Sequence, residues 1–309
     1  MILAIGSNSK GKDIGGTRQD MEILPEWERI EPLQLQGTLL VVGAPDVGKS
    51  TFARYLYRQL QNAGRRAAYL DGDPGQGRLG PPATMTMTTG LMLDSPLQIE
   101  GPVWRSFVGS TTPARHMLPV IVGAARLIRA AHEAGSYVVV YDTTGLIDPT
   151  RGGTHLKLAK INLLRPSILF AIQRERELDP LLMPLRQGRR VKVIEMPVSP
   201  SAESRDLLNR QAFRAEKFAR YFTGARPKKL SWAHLAVFPT PSFKLNLLVA
   251  MEDVNGYVLG LGIIQQIMED SREVTLLTPL PSLEGVDSIA LGDLVLDPQT
   301  FFDQPVTAE

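Results

Sequence analysis

Residues 39–51 read Leu-Leu-Val-Val-Gly-Ala-Pro-Asp-Val-Gly-Lys-Ser-Thr. The second part of this stretch, from Gly43, is a complete G-x-x-x-x-G-K-[ST] phosphate-binding loop. It is preceded by an apolar run with strand character and followed by a helical pattern, the context such a loop requires. Backbone N–H groups of the loop wrap a polyphosphate, Lys49 reaches the β and γ oxygens, and the Ser50 hydroxyl is placed to ligate Mg²⁺. The N-terminus of the following helix adds positive potential. Gly43, Ala44, Pro45, Asp46, Val47, Gly48, Lys49, Ser50 and Thr51 are therefore the predicted nucleotide-binding residues. The loop alone does not say where the γ-phosphate goes.

Outward from the loop, short β-branched runs alternate with helical patterns. The candidate strands are 39–42, 67–70, 104–108, 137–141, 168–172 and 191–195. Near-continuous apolar strands separated by helices predict a P-loop NTPase of the α/β class, with a mainly parallel, doubly wound sheet and helices on both faces. After about Ala225 the pattern changes to short strands with turn signals, among them Asn255-Gly256 between apolar segments, a hairpin signature. The expected organisation is a short N-terminal extension (1–36), a P-loop kinase domain (37–225) and a small C-terminal β-rich domain (226–309).

The chain has 309 residues with 43% hydrophobic and 21% charged content, enough for a sizeable core. Its 34 Lys and Arg against 32 Asp and Glu leave +2, too little to argue for nucleic acid without local clustering. The absence of cysteine excludes disulfides, thiol catalysis and thiolate zinc sites. The N-terminal apolar run is too short, and lacks the basic flank, for a secretion signal, so a cytoplasmic protein is expected. The longest apolar region, 117–134, is interrupted by Arg126, Arg129, His132 and Glu133 and reads as a buried amphipathic helix. The four histidines show no metal-ligand spacing.

Three further constellations belong beside the loop. Tyr69-Leu-Asp71-Gly-Asp73-Pro-Gly-Gln76 ends a predicted strand, and ligands of doubly wound sheets collect at the carboxyl ends of strands. Two carboxylates there can divide the work of holding Mg²⁺ and accepting the proton of an attacking hydroxyl; an Asp-Gly turn with solvated side chains is the bland alternative. Val138-Val-Val-Tyr-Asp142-Thr143-Thr144-Gly145 has the shape of a Walker B strand, with Asp142 directed at Mg²⁺ or its water. It also matches the Asp-x-x-Gly pattern of GTPases, but the Asn-Lys-x-Asp or Thr-Lys-x-Asp that reads guanine is missing. Finally, Glu203 to Lys229 reads as a basic helical stretch with a local charge of +5, in which Arg210 and Arg214 share one face. Such guanidinium groups stabilise a transferring phosphoryl group or hold a polynucleotide. The aromatic residues Phe213, Phe218, Tyr221 and Phe222 have the spacing of core packing rather than of a base-stacking platform.

The order of these motifs, together with Gly80-Pro81-Pro82, Phe107-Val-Gly-Ser-Thr-Thr-Pro113 and Arg210-Gln-Ala-Phe-Arg214, resembles the RNA polynucleotide 5′-hydroxyl kinase family. That family includes the kinase subunit of the pre-messenger RNA cleavage complex and nucleolar kinases of pre-ribosomal RNA processing, with bacterial and archaeal relatives. The resemblance covers roughly residues 37–225; the segment 172–182 and Leu259-Gly-Leu-Gly262 look like the nucleolar branch. It implies ATP and Mg²⁺ as cofactors and RNA 5′-hydroxyl ends as acceptor, with DNA as an alternative. By residue, it implies that Lys49, Ser50 and Thr51 hold Mg-ATP; the strand-end carboxylates Asp71 and Asp142 are the further metal contacts expected from the residues themselves, direct or through water. Asp73 becomes the base, Gln76 orders the site, Thr143, Thr144 and Gly145 form the substrate clasp, and Arg210 and Arg214 form the lid. Leu146 stands where the family carries Trp, so aromatic stacking is lost there. Two other readings remain: an ATP-binding scaffold of an RNA-processing assembly without turnover, and a P-loop GTPase.

Overall fold

The protein is described by a computed structural model covering residues 23–94, 97–200 and 206–306. The N-terminal residues read for a secretion signal, and Glu203 and Arg205 of the basic stretch, lie outside these segments. The chain begins with a one-turn helix α1 (Pro25–Glu28) and continues through β1 (Gly37–Gly43), α2 (Lys49–Asn62), β2 (Ala67–Gly72) and β3 (Thr84–Thr88). A small hairpin, β4 (Leu91–Asp94) and β5 (Leu97–Glu100), precedes β6 (Val103–Phe107). Alternation then resumes with α3 (Met117–Glu133), β7 (Val138–Thr143), α4 (Gly153–Leu164), β8 (Ile168–Ile172), α5 (Asp179–Gln187), β9 (Lys192–Met196) and α6 (Leu207–Tyr221).

The first sheet has the order β6-β3-β2-β7-β1-β8-β9, and β2, β7, β1, β8 and β9 run parallel. β1 lies inside this sheet, which is why Leu39 to Val42 form an unbroken apolar run: successive residues face opposite layers, and both layers are dry. Leu40 and Val42 pack with α3, α4 and α5, whereas Leu39 and Val41 pack with Phe52, Leu56 and Leu60 of α2. The doubly wound architecture follows directly from that alternation.

Two features depart from the sequence reading. β3 was not among the expected strands and pairs antiparallel with both β2 and β6. Its sequence, Thr-Met-Thr-Met-Thr, alternates polar and apolar residues as a half-exposed strand does, yet every residue is buried. Thr84 and Thr88 fit a dry face because their hydroxyls find backbone acceptors, Thr84 on the Pro81 carbonyl (2.7 Å) and Thr88 on that of Pro102 (2.8 Å), whereas the Thr86 hydroxyl has no partner among the described residues. The basic stretch, moreover, is not one helix to Lys229. α6 ends at Tyr221, Gly224 takes the left-handed conformation (φ 74°), and Arg226, Lys228 and Lys229 lie on strand β10. Pro227, which cannot donate a helical hydrogen bond, is consistent with that change.

The second sheet is formed by β10 (Arg226–Ser231), β11 (Ala236–Phe238), β12 (Leu247–Glu252), β13 (Val258–Met268), β14 (Glu273–Thr278), β15 (Ser288–Leu296) and β16 (Asp303–Pro305). Its order is β10-β14-β13-β12-β15-β11, with β16 on β15. The Asn255-Gly256 turn joins β12 to β13, held by the Asp253 carboxylate, which accepts from the Asn255 and Tyr257 N–H groups (both 2.9 Å). One face of this sheet carries Leu248, Ala250, Leu261 and Ile263 against Phe218 and Phe222 of α6 and against Ala83 and Phe107 beside the first sheet. Helix α6 is thus wedged between the two sheets, and the core role expected for Phe218 and Phe222 holds. Among the described residues, no helix is long and apolar enough to cross a membrane.

Segment 23–36 is part of the core. Trp27, 2% exposed, sits against Phe52 (ring centroids 5.3 Å apart) and Tyr55 (5.4 Å), and Phe52 meets Phe170 of β8 at 5.0 Å. Trp27→Ala is expected to lower the unfolding free energy by about 3–5 kcal/mol in a urea titration, the cost of emptying a large aromatic site. A change below about 0.5 kcal/mol would mean that the segment is a dispensable extension.

Candidate active site: the cleft at the strand ends

β2, β7 and β1 are parallel neighbours, so their carboxyl ends, Gly72, Thr143 and Gly43, open onto one edge of the sheet. A cleft of about 1350 Å³ lies there, with walls that include Lys49, Ser50, Asp73, Gln76, Gly145, Arg210 and Arg214. The topology alone brings together three motifs that are far apart in sequence.

In the phosphate-binding loop, Asp46 and Gly48 take positive φ values of 57° and 88°, which tighten the turn before α2. Lys49 is buried and donates from Nζ to the Ala44 carbonyl (2.6 Å), so its ammonium lies within the curl of the loop. Burial pushes its pKa down, while the carboxylates of Asp142, Asp73 and Asp46 oppose that shift. Asp142 is 2% exposed; Tyr69 donates its hydroxyl to Oδ2 (3.2 Å), and Oδ1 has no hydrogen-bond partner among the described residues. Burial, reinforced by Asp71, raises the Asp142 pKa to about 7, and the Ser50 hydroxyl and Lys49 pull it back. An orphaned carboxylate oxygen beside Ser50 and Lys49 fits a hydrated divalent cation, because unpaired buried polar atoms are costly unless something supplies the partner. Among the described residues, no group of three or more His, Cys, Asp or Glu side chains gathers as a metal cage elsewhere.

The two carboxylates after β2 take different positions. Asp71 is buried beneath the loop and accepts from the N–H groups of Arg78 (2.6 Å), Leu79 (2.9 Å) and Asp73 (3.4 Å). It shapes the loop and is absent from the cleft wall. Asp73 lines the cleft; its Oδ1 accepts from the Gly75 and Gln76 N–H groups (both 2.9 Å), and its Oδ2 makes no hydrogen bond among the described residues. Gln76 in turn donates to the Gly75 carbonyl (2.8 Å) and reaches the Arg210 carbonyl of α6 (3.4 Å).

Thr143, Thr144 and Gly145 border the same cleft, but the threonines are almost completely buried. Thr143 Oγ1 donates to the Val41 carbonyl (2.7 Å) and accepts from Lys157 Nζ (2.7 Å), which also donates to the Thr144 carbonyl. Gly145 sits against the phosphate-binding loop: a Cβ there would stand 2.8 Å from the Pro45 nitrogen and 2.9 Å from its Cα, so only glycine permits the approach. Leu146 lines the cleft and also packs onto the core.

Lys157 and Lys160 of α4 are the residues that sequence reasoning missed. Both have zero exposure, on a helix where they share the buried side with Leu156 and Ile161. Lysines normally leave the core, so nothing in the pattern marks them without their tertiary partners. Lys160 Nζ lies 4.7 Å from the centre of the Tyr141 ring and makes no hydrogen bond among the described residues.

Arg210 and Arg214, the arginines expected to form a lid, approach the cleft from α6, each on its own carboxylate. Arg210 Nη2 meets Asp46 Oδ2 of the phosphate-binding loop at 2.7 Å, and Arg214 Nε meets Asp303 Oδ1 of β16 at 2.9 Å. Lys217 of the same helix donates to the carbonyls of Gly77 (3.0 Å) and Arg78 (2.7 Å). Phe213 departs from the core-packing expectation and lines the cleft.

Phosphate loop, buried Walker B aspartate and arginine-bearing helix at one edge of a parallel sheet define a P-loop nucleoside-triphosphate-binding protein. Residues 43–224 match the family model described as the mRNA cleavage and polyadenylation factor CLP1 P-loop, and the chain belongs to that family. It is 28% identical to the polyribonucleotide 5′-hydroxyl-kinase PF0112 of Pyrococcus furiosus, over 86% of this chain and 89% of that protein. It is 31% identical to the polyribonucleotide 5′-hydroxyl-kinase MJ1315 of Methanocaldococcus jannaschii, over 67% of this chain and 56% of that one. A solved structure of a Clp1p–Pcf11p complex shares the fold with a TM-score of 0.62 at 14% identity, covering 85% of this chain and 75% of that one.

Burial holds the Lys160 ammonium down at about 7 against an ordinary 10.5. Between those values the unfolded chain binds a proton that the folded chain does not, so this group makes stability rise with pH across the window. Lys160→Met is therefore expected to gain stability over the wild type at about pH 6 and to lose that gain by about pH 10 in parallel urea titrations. A difference that stays constant with pH would show that Lys160 remains protonated in the fold.

Proposed function

We propose that this protein is an ATP-dependent polynucleotide 5′-hydroxyl kinase that transfers the γ-phosphate of ATP to the 5′-hydroxyl end of RNA in RNA processing. The observation that carries the reading is the shared cleft: a carboxylate with one uncommitted oxygen, Asp73 Oδ2, faces the same space as Lys49 and the two lid arginines. The names of the archaeal relatives support the same reaction.

Asp73 Oδ2 takes the proton of the 5′-hydroxyl as its oxygen attacks the γ-phosphorus in line, and the bond to the β–γ bridging oxygen breaks to release ADP. The two N–H groups on Oδ1 hold the carboxylate in place and leave Oδ2 to the substrate. Lys49, Arg210 and Arg214 stabilise charge on the equatorial oxygens, and Arg210 exchanges Asp46 for phosphate as it does so. Ser50 and Asp142, directly or through water, would hold Mg²⁺, and the ion would supply charge neutralisation to the triphosphate. Asp71 contributes through the loop that it folds. Thr143, Thr144 and Gly145 shape the clasp, with Leu146 giving an aliphatic surface where a base or ribose rests. DNA 5′-hydroxyl ends are the second acceptor in this proposal, and the protein works with its substrate in the cytoplasm.

Incubation with γ-labelled ATP and a 5′-hydroxyl oligoribonucleotide should label that oligomer and leave a 5′-phosphorylated control unlabelled. Label on neither would favour a nucleotide-binding scaffold, and a strong preference for GTP in a binding titration would favour a GTPase. Asp73→Asn should keep ATP binding and lose at least about 100-fold in turnover, roughly 3 kcal/mol of transition-state stabilisation. Normal turnover by that variant would remove Asp73 from the role of base.

A further inference from the structure

We infer that Asp303, on the C-terminal strand β16, is a positioning residue of the kinase site: it fixes the guanidinium of Arg214 and ties the lid to the acceptor loop. The inference rests on the kinase reading above and assigns part of the active centre to the second sheet.

Asp303 is 6% exposed and uses both carboxylate oxygens. Oδ1 accepts from Arg214 Nε at 2.9 Å, and Oδ2 accepts from the Thr111 hydroxyl at 3.0 Å. Its backbone carbonyl lies 3.4 Å from Gln211 Nε2, one turn before Arg214 on α6. The backbone of Asp303 is itself held, because β16 pairs with β15 in the register Leu296 to Asp303 and Leu294 to Pro305. Two residues earlier, the Phe301 ring stacks on Phe222 near the end of α6, with centroids 5.8 Å apart and planes at 8°. The carboxylate thus comes from a rigid element, which positions a partner more accurately than a loop does.

The two lid arginines are held differently. Arg210 spends a terminal amino group, Nη2, on Asp46, and that contact must open before the group can meet phosphate. Arg214 is gripped at Nε, and among the described residues its two terminal amino groups make no hydrogen bond. A planar guanidinium gripped at its inner nitrogen keeps its charge, loses rotamer freedom and presents its outer N–H groups to phosphate oxygens in advance. Asp303 is therefore an anchor, whereas Asp46 is a contact that exchanges.

Thr111 extends the effect to the acceptor side. Its carbonyl lies so close to Gly75 that a Cβ on Gly75 would stand 2.3 Å from it, which places the Thr111 backbone directly against the Asp73–Gln76 turn. One buried carboxylate thereby braces both the arginine that serves the γ-phosphate and the loop that carries the base.

The test compares wild type, Asp303→Asn, Arg214→Gln and the double variant in steady-state turnover with ATP and a 5′-hydroxyl oligoribonucleotide. Asp303→Asn keeps the shape and one acceptor but removes the charge; we expect kcat to fall about tenfold or more, with ATP affinity changed less than about twofold. The amide oxygen of Asp303→Asn can still accept from the Thr111 hydroxyl, so what that substitution removes acts through Arg214, and the double variant should turn over at the rate of Arg214→Gln alone. Asp303→Glu, which restores the charge, should recover part of the loss, and it carries the comparison if Asp303→Asn does not fold. Losses that multiply in the double variant, an unchanged kcat, or a kcat that rises because Asp303 had been sequestering Arg214 would each overturn the inference. Absence of turnover in the wild type would instead overturn the kinase reading itself.

Discussion

Parallel pairing of β7 between β1 and β2 is the constraint on which the rest of the molecule depends. The register aligns Asp142 with Val41 on one side and with Asp71 on the other, so acidic residues are buried side by side just below the phosphate-binding loop. Like charges in a dry environment repel and are poorly solvated. The structure accommodates them by hydrogen bonding Asp71 to three backbone N–H groups, giving Asp142 the Tyr69 hydroxyl, and placing Lys49 nearby. What is left unsatisfied, one oxygen of Asp142, marks the place where chemistry from outside the chain enters.

The positive charges follow the same logic from the other direction. Lys157 and Lys160 enter the core on α4 and meet carbonyl, hydroxyl and ring acceptors in place of carboxylates. A buried ammonium without an ion partner is expensive. Lys157 offsets part of that cost by cross-linking the Thr143–Thr144 turn to the helix that follows it. The clasp then reaches the phosphate-binding loop through the Gly145 contact with Pro45. The turn after β7 and the phosphate-binding loop are thus in van der Waals contact.

Much of this was legible in the sequence, because its signals are local. The phosphate loop is a contiguous motif, the parallel strands are continuous apolar runs, and Asp73 and Asp142 stand at strand ends where the topology makes them converge. The features that were not legible depend on partners distant in the chain. β3 alternates like a half-exposed strand, and Thr84 and Thr88 are buried on carbonyls that only the fold supplies. The end of α6 at Tyr221 is hidden within a uniformly basic composition, although Gly224 and Pro227 mark it once turn chemistry is weighed above charge. Asp303 sits 89 residues from Arg214, in a stretch with no motif of its own. Spacing alone left the two carboxylates of the Asp71-Gly-Asp73 turn free to divide their roles, and only the resemblance singled out Asp73; in the fold, backbone hydrogen bonds separate the one that builds the loop from the one that faces the cleft.

Helix α6 has a further consequence for how the protein moves. Phe218 and Phe222 are locked into the second sheet, Lys217 is bonded to the loop after Asp73, and the backbone of Arg210 is touched by Gln76. A lid so tethered cannot swing open on a hinge as a free flap would. The parts of α6 that can move without breaking these contacts are side chains, among them the terminal groups of the two arginines and the exposed Leu207, which also lines the cleft. Exposed side-chain flips run in picoseconds to nanoseconds, whereas collective hinge motions take microseconds to milliseconds. Any swing of α6 belongs to the slower class, because it must break contacts to the second sheet and to the loop after Asp73 at once.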